Sequence, residues 1–319
     1  MRPVIEFRPG TSVRARLAAG ALRLTFRPAM SYWPLTPRGL RLLSVAELAA
    51  PMLLPAPRWA RVEAVRMDGV KAEWVRAPGE DTGRVVLYLH GGGLFFCGPR
   101  THRRMVARIA AVSGAAVCSV GYRQQPEAPL QISIADSVRV YRHLLEQGFD
   151  PKRIVVAGDS TGGFLAFAVA LRALQEEMPS PAAIVGLAPM TDLDHSVKAV
   201  HENATRCATF SVRHVKRHAA LLAADPALSP VNGRLSGLPP VLIQVGSTEM
   251  LLPDAESMAR RLAEAGVPCR LQIWERQVHV FQLYSDLIPE GMEALREIGA
   301  FIREQTPRPH PAAGVAAAG

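Results

Sequence analysis

Cysteine is scarce in this sequence and never clustered. Cys97, Cys118, Cys207 and Cys269 are the only four in 319 residues. They form no C-x-x-C pair and no Cys/His grouping at metal-ligand spacing. That excludes a disulfide framework or a zinc module and fits a reducing, cytoplasmic setting, with no metal expected. Cys118 and Cys269 fall in strand-like runs and read as small core residues. Long apolar runs are missing too. No segment reaches the ~18 apolar residues that cross a membrane. The apolar stretch at 17–26 is broken by Arg23 and lacks a small-residue cleavage site, so no secretory leader is expected. No internal repeat is visible. The net charge is +9, yet the basic residues are mostly scattered arginines, without the run or stripe that tracks a nucleic-acid backbone.

What is present is an alternation of strands and helices in a chain long enough for one large core or two modest ones. Residues 12–26 have the spacing of an amphipathic helix, with Val13, Leu17, Leu22 and Phe26 on one face and Pro28 as its stop. A second helical pattern covers 36–50 and is closed by Pro51, Pro55 and Pro57. These two helices are expected to precede the first strand as the N-terminal part of a cap, about residues 1–57. Alternating runs at 61–67 and 70–75 around Asp68-Gly69 predict a hairpin. Further strands are expected at 84–90, 115–121, 153–157, 183–187, 241–245 and 270–274. Helices are expected between them, including one over 100–113 with Thr101 as N-cap and one over 133–147. Such alternation predicts a mostly parallel sheet covered on both faces, over about residues 58–305. The interval 190–238 is too long for a single crossover and is expected over the carboxyl ends of the strands as the second part of the cap. The Pro/Ala/Gly-rich tail, 306–319, is expected to be disordered.

The chemistry concentrates at residues 155–164, Val-Val-Ala-Gly-Asp-Ser-Thr-Gly-Gly-Phe. An apolar strand meets a G-x-S-x-G turn and runs directly into a helix-forming stretch. A bare G-x-S-x-G arises by accident in roughly one chain in ten of this length, so its context decides. Strand, sharp turn and helix present Ser160 at a strained apex with its Oγ above the sheet. The strand ending at Leu89 leads into His90-Gly91-Gly92-Gly93. Consecutive glycines there serve close backbone approach, and Gly92 and Gly93, with the N–H of Thr161, form the expected oxyanion hole. His90 is expected to brace that loop. Phe95 and Phe96 are expected to line an apolar substrate pocket.

A serine nucleophile needs a base, and the base needs an orienting acid. Of nine histidines, only His279 follows a late strand through a short loop; His195, His201, His214 and His218 fall in the cap interval. The acid should follow the strand at 241–245, where Glu249 and Asp254 compete. Asp254 follows Pro253 and reads as a first-turn residue of the next helix, which leaves Glu249 on the loop as the preferred acid.

Taken together, His-Gly-Gly-Gly at 90–93, Gly-Asp-Ser-Thr-Gly-Gly at 158–163, Glu249 and His279 resemble the hormone-sensitive-lipase-like family of α/β-hydrolase carboxylesterases. The resemblance covers about residues 60–304. Tyr122-Arg123 and Pro126-Glu127 resemble that family's segment after the next strand, and the N-terminal helices resemble its cap. Thr161 stands where alanine is commoner, Glu249 where aspartate is commoner, and Pro253 where an acidic residue often stands. The resemblance implies an α/β-hydrolase fold and a cofactor-independent serine esterase acting on short-chain or compact apolar esters. Lactones, amides, or a non-catalytic ligand-binding role on the same fold are the alternatives. The expected partner is a small-molecule ester and not a nucleic acid; membrane-surface association through the basic N-terminal helix and homodimerisation stand as further readings.

Overall fold

In the computed structural model of this chain, which describes residues 2–53, 55–223 and 225–307, nine strands form one sheet. They are β1 Val4–Arg8, β2 Arg61–Met67, β3 Val70–Arg76, β4 Asp81–Leu89, β5 Ala115–Gly121, β6 Ile154–Asp159, β7 Ala183–Leu187, β8 Val241–Gly246 and β9 Cys269–Trp274. Their spatial order is β1-β9-β8-β7-β6-β4-β5-β3-β2. Pairing is parallel from β1 across to β5. Only β3, next to the far edge, is reversed, so its pairings with β5 and with β2 are antiparallel. The described helices are α1 Val13–Leu24, α2 Phe26–Tyr32, α3 Pro37–Leu53, α4 Pro99–Ser113, α5 Leu130–Glu146, α6 Thr161–Gln175, α7 Ser196–Val200, α8 Asn203–Arg206, α9 Val212–Leu222, α10 Leu252–Glu264 and α11 Pro289–Gln305.

The order dictates the layers. The chain moves from β4 one way to β5, then back past β4 to β6, and on through β7, β8 and β9. With right-handed crossovers throughout, α4 covers one face while α5, α6 and α10 cover the other. α11 packs on α4 and completes the first layer. Strands buried on both faces read as continuous apolar runs: Val85, Val86, Val155 and Ile243 are fully buried. The reversal between β4 and β6 opens a crevice at their carboxyl ends, the place where such sheets bind ligands. The His90–Gly93 loop leaves β4 there, and Ser160 leaves β6 beside it.

Several expectations are corrected. A strand, β1, precedes the helices, so residues 4–8 of the segment expected to be helical cap belong to the sheet, paired with β9 from Val4 opposite Arg270 to Arg8 opposite Trp274. Its charged side chains hid it: Glu6 and Arg8 pair with Arg270 and Glu297 at the edge. Pro28 does not end a helix. The break is at Thr25, and Pro28 sits in the first turn of α2, where its missing N–H is harmless. Val13 and Leu17 do not face the core but are 61% and 68% exposed, and the packed face of α1 carries Ala15, Ala18, Ala19 and Leu22. Pro51 lies inside the last turn of α3 rather than after it. The N-cap of α4 is Gly98, not Thr101; Thr101 Oγ1 accepts from Gly98 N at 3.0 Å, and the Glu47 carboxylate of α3 accepts from the N–H groups of Arg100 and Thr101. The hairpin is as expected, with Met67 opposite Val70 and the turn residues Asp68 and Gly69 at φ +45° and +81°, the primed geometry that suits strand twist. Thr306 is buried and accepts from Arg84 Nε at 2.7 Å, so it belongs to the fold. The tail from 308 onward lies outside the described residues.

Candidate active site

Ser160 is held at φ +54°, ψ −120°, a conformation a non-glycine residue keeps only when its surroundings enforce it. They do. Its N–H donates to Leu187 O of β7 at 2.9 Å, and its carbonyl accepts from Met190 N at 2.9 Å. The sequence GDSTGG permits this crowding: a Cβ on Gly158 would collide with Gly162 O, and one on Gly162 with Leu89 O. Ser160 immediately precedes α6, so Thr161 is that helix's first residue, where the amide has no intrahelical acceptor.

Gly92 and Gly93 adopt φ +113° and +67°. Gly92 O accepts from Phe96 N at 2.9 Å, which curls the loop back on itself. A Cβ on Gly92 would strike Phe96 O. Asp159 ties this loop to the serine turn. Its Oδ1 accepts from Gly91 N at 3.0 Å and from Tyr88 Oη at 2.7 Å, and its Oδ2 lies 3.3 Å from His102 Nε2. Burial pushes the Asp159 carboxyl up, but the charge and hydrogen bond of His102 and the Tyr88 hydroxyl bring it below the usual range. His102, opposed by burial, is raised by the same carboxylate, and the two side chains hold each other behind the loop. His90 stacks on Tyr122 at 4.3 Å and bonds Gly91 O through Nδ1 at 2.8 Å. Burial and the neighbouring His102 lower it to about 3, so it stays a neutral brace.

Glu249 follows β8 and His279 follows β9. Glu249 Oε2 lies 2.7 Å from His279 Nδ1, and its other oxygen accepts from Gly246 N at 2.6 Å. Burial pushes the Glu249 carboxyl up, against the pull of His279 and the Gly246 amide. The His279 ring stands edge-to-face with Phe210, centroids 4.8 Å apart, and lines the cavity described below. Asp254 is elsewhere. It sits in the first turn of α10 as expected, but it is 3% exposed and paired at 2.8 Å with buried Lys198.

Ser160, Thr161, Gly92, Gly93, Phe95, Phe96 and His279 all line one cavity of about 250 Å³. Phe95 is buried against Met30, Leu40 and Leu43, and Phe96 packs on the same cluster. Much of the remaining wall comes from α2 and from the 190–238 segment, which are stitched together, with Leu251, Val280, Leu283 and Tyr284 completing it. Ser31 and Ser211 share a 2.6 Å hydroxyl bond, and Arg217 donates to the carbonyls of Ser31 and Trp33. Three histidines of that segment, His195, His214 and His218, stack along the wall. His218 Nε2 reaches Gly93 O at 3.0 Å. The sequence placed these histidines in the cap interval but gave them no part in the cavity, and it missed the Asp159–His102 pair. The Asp in G-D-S-T-G was the visible signal for that pair. Among the described residues no group of three or more His, Cys, Asp or Glu side chains is arranged to hold a metal ion. No described helix is long and apolar enough to cross a membrane.

A family profile described as "alpha/beta hydrolase fold" matches residues 86–283. The "Carboxylesterase/phospholipase LipF" of Mycobacterium tuberculosis is 38% identical over 320 aligned residues, covering 95% of this chain and 85% of LipF. "Esterase LipU" of the same organism is 37% identical over 298 residues, covering 89% of this chain and all of LipU. A solved structure of "an esterase from the bacterial hormone-sensitive lipase (HSL) family" superposes with a TM-score of 0.82 at 35% identity, covering 93% of this chain and 100% of that one.

Proposed function

This chain belongs to the α/β-hydrolase family, in its hormone-sensitive-lipase-like branch, and from that membership we propose that it is a serine carboxylesterase whose acid, base and nucleophile are Glu249, His279 and Ser160. The observation that carries the residue roles is the 2.7 Å bond between Glu249 and His279 Nδ1, with His279 lining the same cavity as the strained Ser160. The named relatives are a carboxylesterase/phospholipase and an esterase, which supports ester hydrolysis as the reaction.

In this reading neutral His279 takes the Ser160 proton through Nε2 while Oγ attacks the ester carbonyl. Glu249 holds the tautomer with the proton on Nδ1 and stabilises the imidazolium that forms. The amides of Gly92, Gly93 and Thr161 receive the developing oxyanion. Donors fixed by the backbone need little reorganisation as the charge appears, and the φ of Gly92 and Gly93, +113° and +67°, supports that role for this loop. His279 then protonates the departing alcohol. Water repeats the sequence on the acyl-enzyme and releases the acid. The 250 Å³ cavity, lined by Phe95 and Phe96, lies below the roughly 300 Å³ at which drug-sized sites begin, which supports short acyl chains.

The test is Ser160→Ala with a series of esters of increasing acyl length. The variant should stay folded and lose on the order of 10⁶ in kcat. A fluorophosphonate should label wild-type protein at Ser160. A covalent adduct on another serine, with Ser160 unmodified, would overturn the assignment.

A further inference from the structure

Most polar groups around the cavity are already paired. His218 bonds Gly93 O, and His214 Nδ1 bonds Met30 O at 3.1 Å. Lys198 spends its three donors on Asp192 O, Asp194 O and Asp254 Oδ1. His195 differs. It lines the cavity, is 8% exposed, and both of its ring nitrogens are buried with no hydrogen-bond partner among the described residues. Two hydroxyls lining the same cavity share that state, Thr209 Oγ1 and Thr161 Oγ1. The rest of the wall is largely apolar, with Met190, Val215 and Leu251 among its members.

A buried polar group without a partner is costly, and a site that carries one favours the ligand that satisfies it. Burial, with Lys198 and His218 nearby, lowers His195 to about 3, so the ring is neutral. It offers one donor and one acceptor, the complement of a hydroxyl group. It does not suit a carboxylate, because the nearby cation, Lys198, is already matched to Asp254. The stack on His218, 5.7 Å between centroids at 26°, fixes the plane in which the nitrogens point.

We propose that His195 is a specificity-determining residue that takes a hydroxyl group carried on the body of the ester, with the Thr209 and Thr161 hydroxyls as secondary partners, so that the preferred substrates are hydroxylated short-chain esters. This rests on the serine-esterase reading above.

The experiment compares ethyl butyrate, ethyl 3-hydroxybutyrate and 2-hydroxyethyl butyrate by pH-stat, each corrected for its alkaline hydrolysis rate. One hydroxylated ester should exceed ethyl butyrate in kcat/KM by about 10- to 100-fold, chiefly through KM. Which of the two is favoured tells whether the hydroxyl sits on the acyl or the alcohol side. His195→Phe keeps the ring and its stack but removes both nitrogens, and should abolish most of that preference. His195→Gln keeps a donor and an acceptor and should restore part of it. The proposal is overturned if wild-type protein prefers neither hydroxylated ester, or if His195→Phe, folded by circular dichroism near neutral pH, keeps the full preference. If none of the three esters is turned over and no fluorophosphonate reaches Ser160, the esterase reading itself fails; turnover of ethyl butyrate with no hydroxyl preference refutes only the role of His195.

Discussion

Asp254 and Glu249 are five residues apart, and exchanging each carboxylate for its amide should damage different properties. Asp254 lies at the start of α10, yet both of its oxygens are used inside the protein. Oδ1 pairs with Lys198 at 2.8 Å, and Oδ2 accepts from Thr191 N at 3.0 Å and Asp192 N at 3.1 Å. Lys198 is 1% exposed. The carboxylate therefore fastens α10 to the beginning of the 190–238 segment. Burial pushes the Asp254 carboxyl up, against the pull of Lys198 and the two amides. Breaking the pair is what costs. Asp254→Asn leaves the Lys198 ammonium buried without its counter-charge, which should cost about 3–5 kcal/mol. An exposed first-turn carboxylate would be worth only about 0.3–1 kcal/mol. Against a total stability of roughly 5–15 kcal/mol, the larger figure is a large shift in a urea midpoint. Lys198→Met with Asp254→Leu removes both charges and should recover much of the loss, giving a clearly non-additive cycle. Glu249→Gln can still accept from Gly246 N but loses the charge facing His279 Nδ1, and kcat should fall by about 10²- to 10⁴-fold. Urea unfolding followed by circular dichroism, with kcat on one short-chain ester, separates the two. Asp254→Asn within about 1 kcal/mol of wild type, or Asp254→Asn folded but as inactive as Glu249→Gln, would refute the division of labour.

Acid should destabilise the protein through its buried histidines. Burial first, and neighbouring positive groups second, lower His90 and His195 to about 3 and His218 to about 4, against about 6.5 in the unfolded chain. Below about pH 6.5 the unfolded state binds protons that the folded state refuses, so stability falls as pH drops from there toward 4. His102 opposes this, since its raised value contributes stability at low pH that is lost as pH rises through it. His195→Phe should shrink the loss between about pH 7 and pH 5 by up to about 2 kcal/mol, read from urea midpoints at each pH; an unchanged loss would mean that the His195 ring is not held neutral. Gly92→Ala forces a Cβ against Phe96 O at φ +113° and so displaces the loop amides. It should lower kcat by about 10²- to 10³-fold, and a wild-type kcat would remove Gly92 from the oxyanion hole.

Much of the site was legible because its chemistry is written in local sequence. The turn at Ser160 needs small residues on both sides, and Gly158 and Gly162 show it. The loop after β4 needs amides without side chains in the way, and three glycines show that. Glu249 and His279 were legible through order alone, each on the loop that follows a late strand. The hairpin at Asp68-Gly69 was legible because only certain residues tolerate its turn. Strand β1 was not: it is five edge residues long, its alternation leaves apolar Ile5 and Phe7 exposed while charged Glu6 and Arg8 are the paired side chains, and it gains its place only through β9.

What the sequence by itself determined is therefore the alternating architecture, the serine turn, the glycine loop and the candidates for base and acid, all encoded over a few neighbouring residues. The tertiary structure decided which side chains become partners across long stretches of chain. Asp159 reaches Gly91 and His102; Asp254 is swallowed beside Lys198 instead of decorating a helix end; Phe210 meets His279; and three scattered histidines join into one wall of the cavity. Burial and pairing of charges are properties of three-dimensional neighbours. No local pattern states whether a carboxylate at a first helical turn faces water or an ammonium 56 positions away.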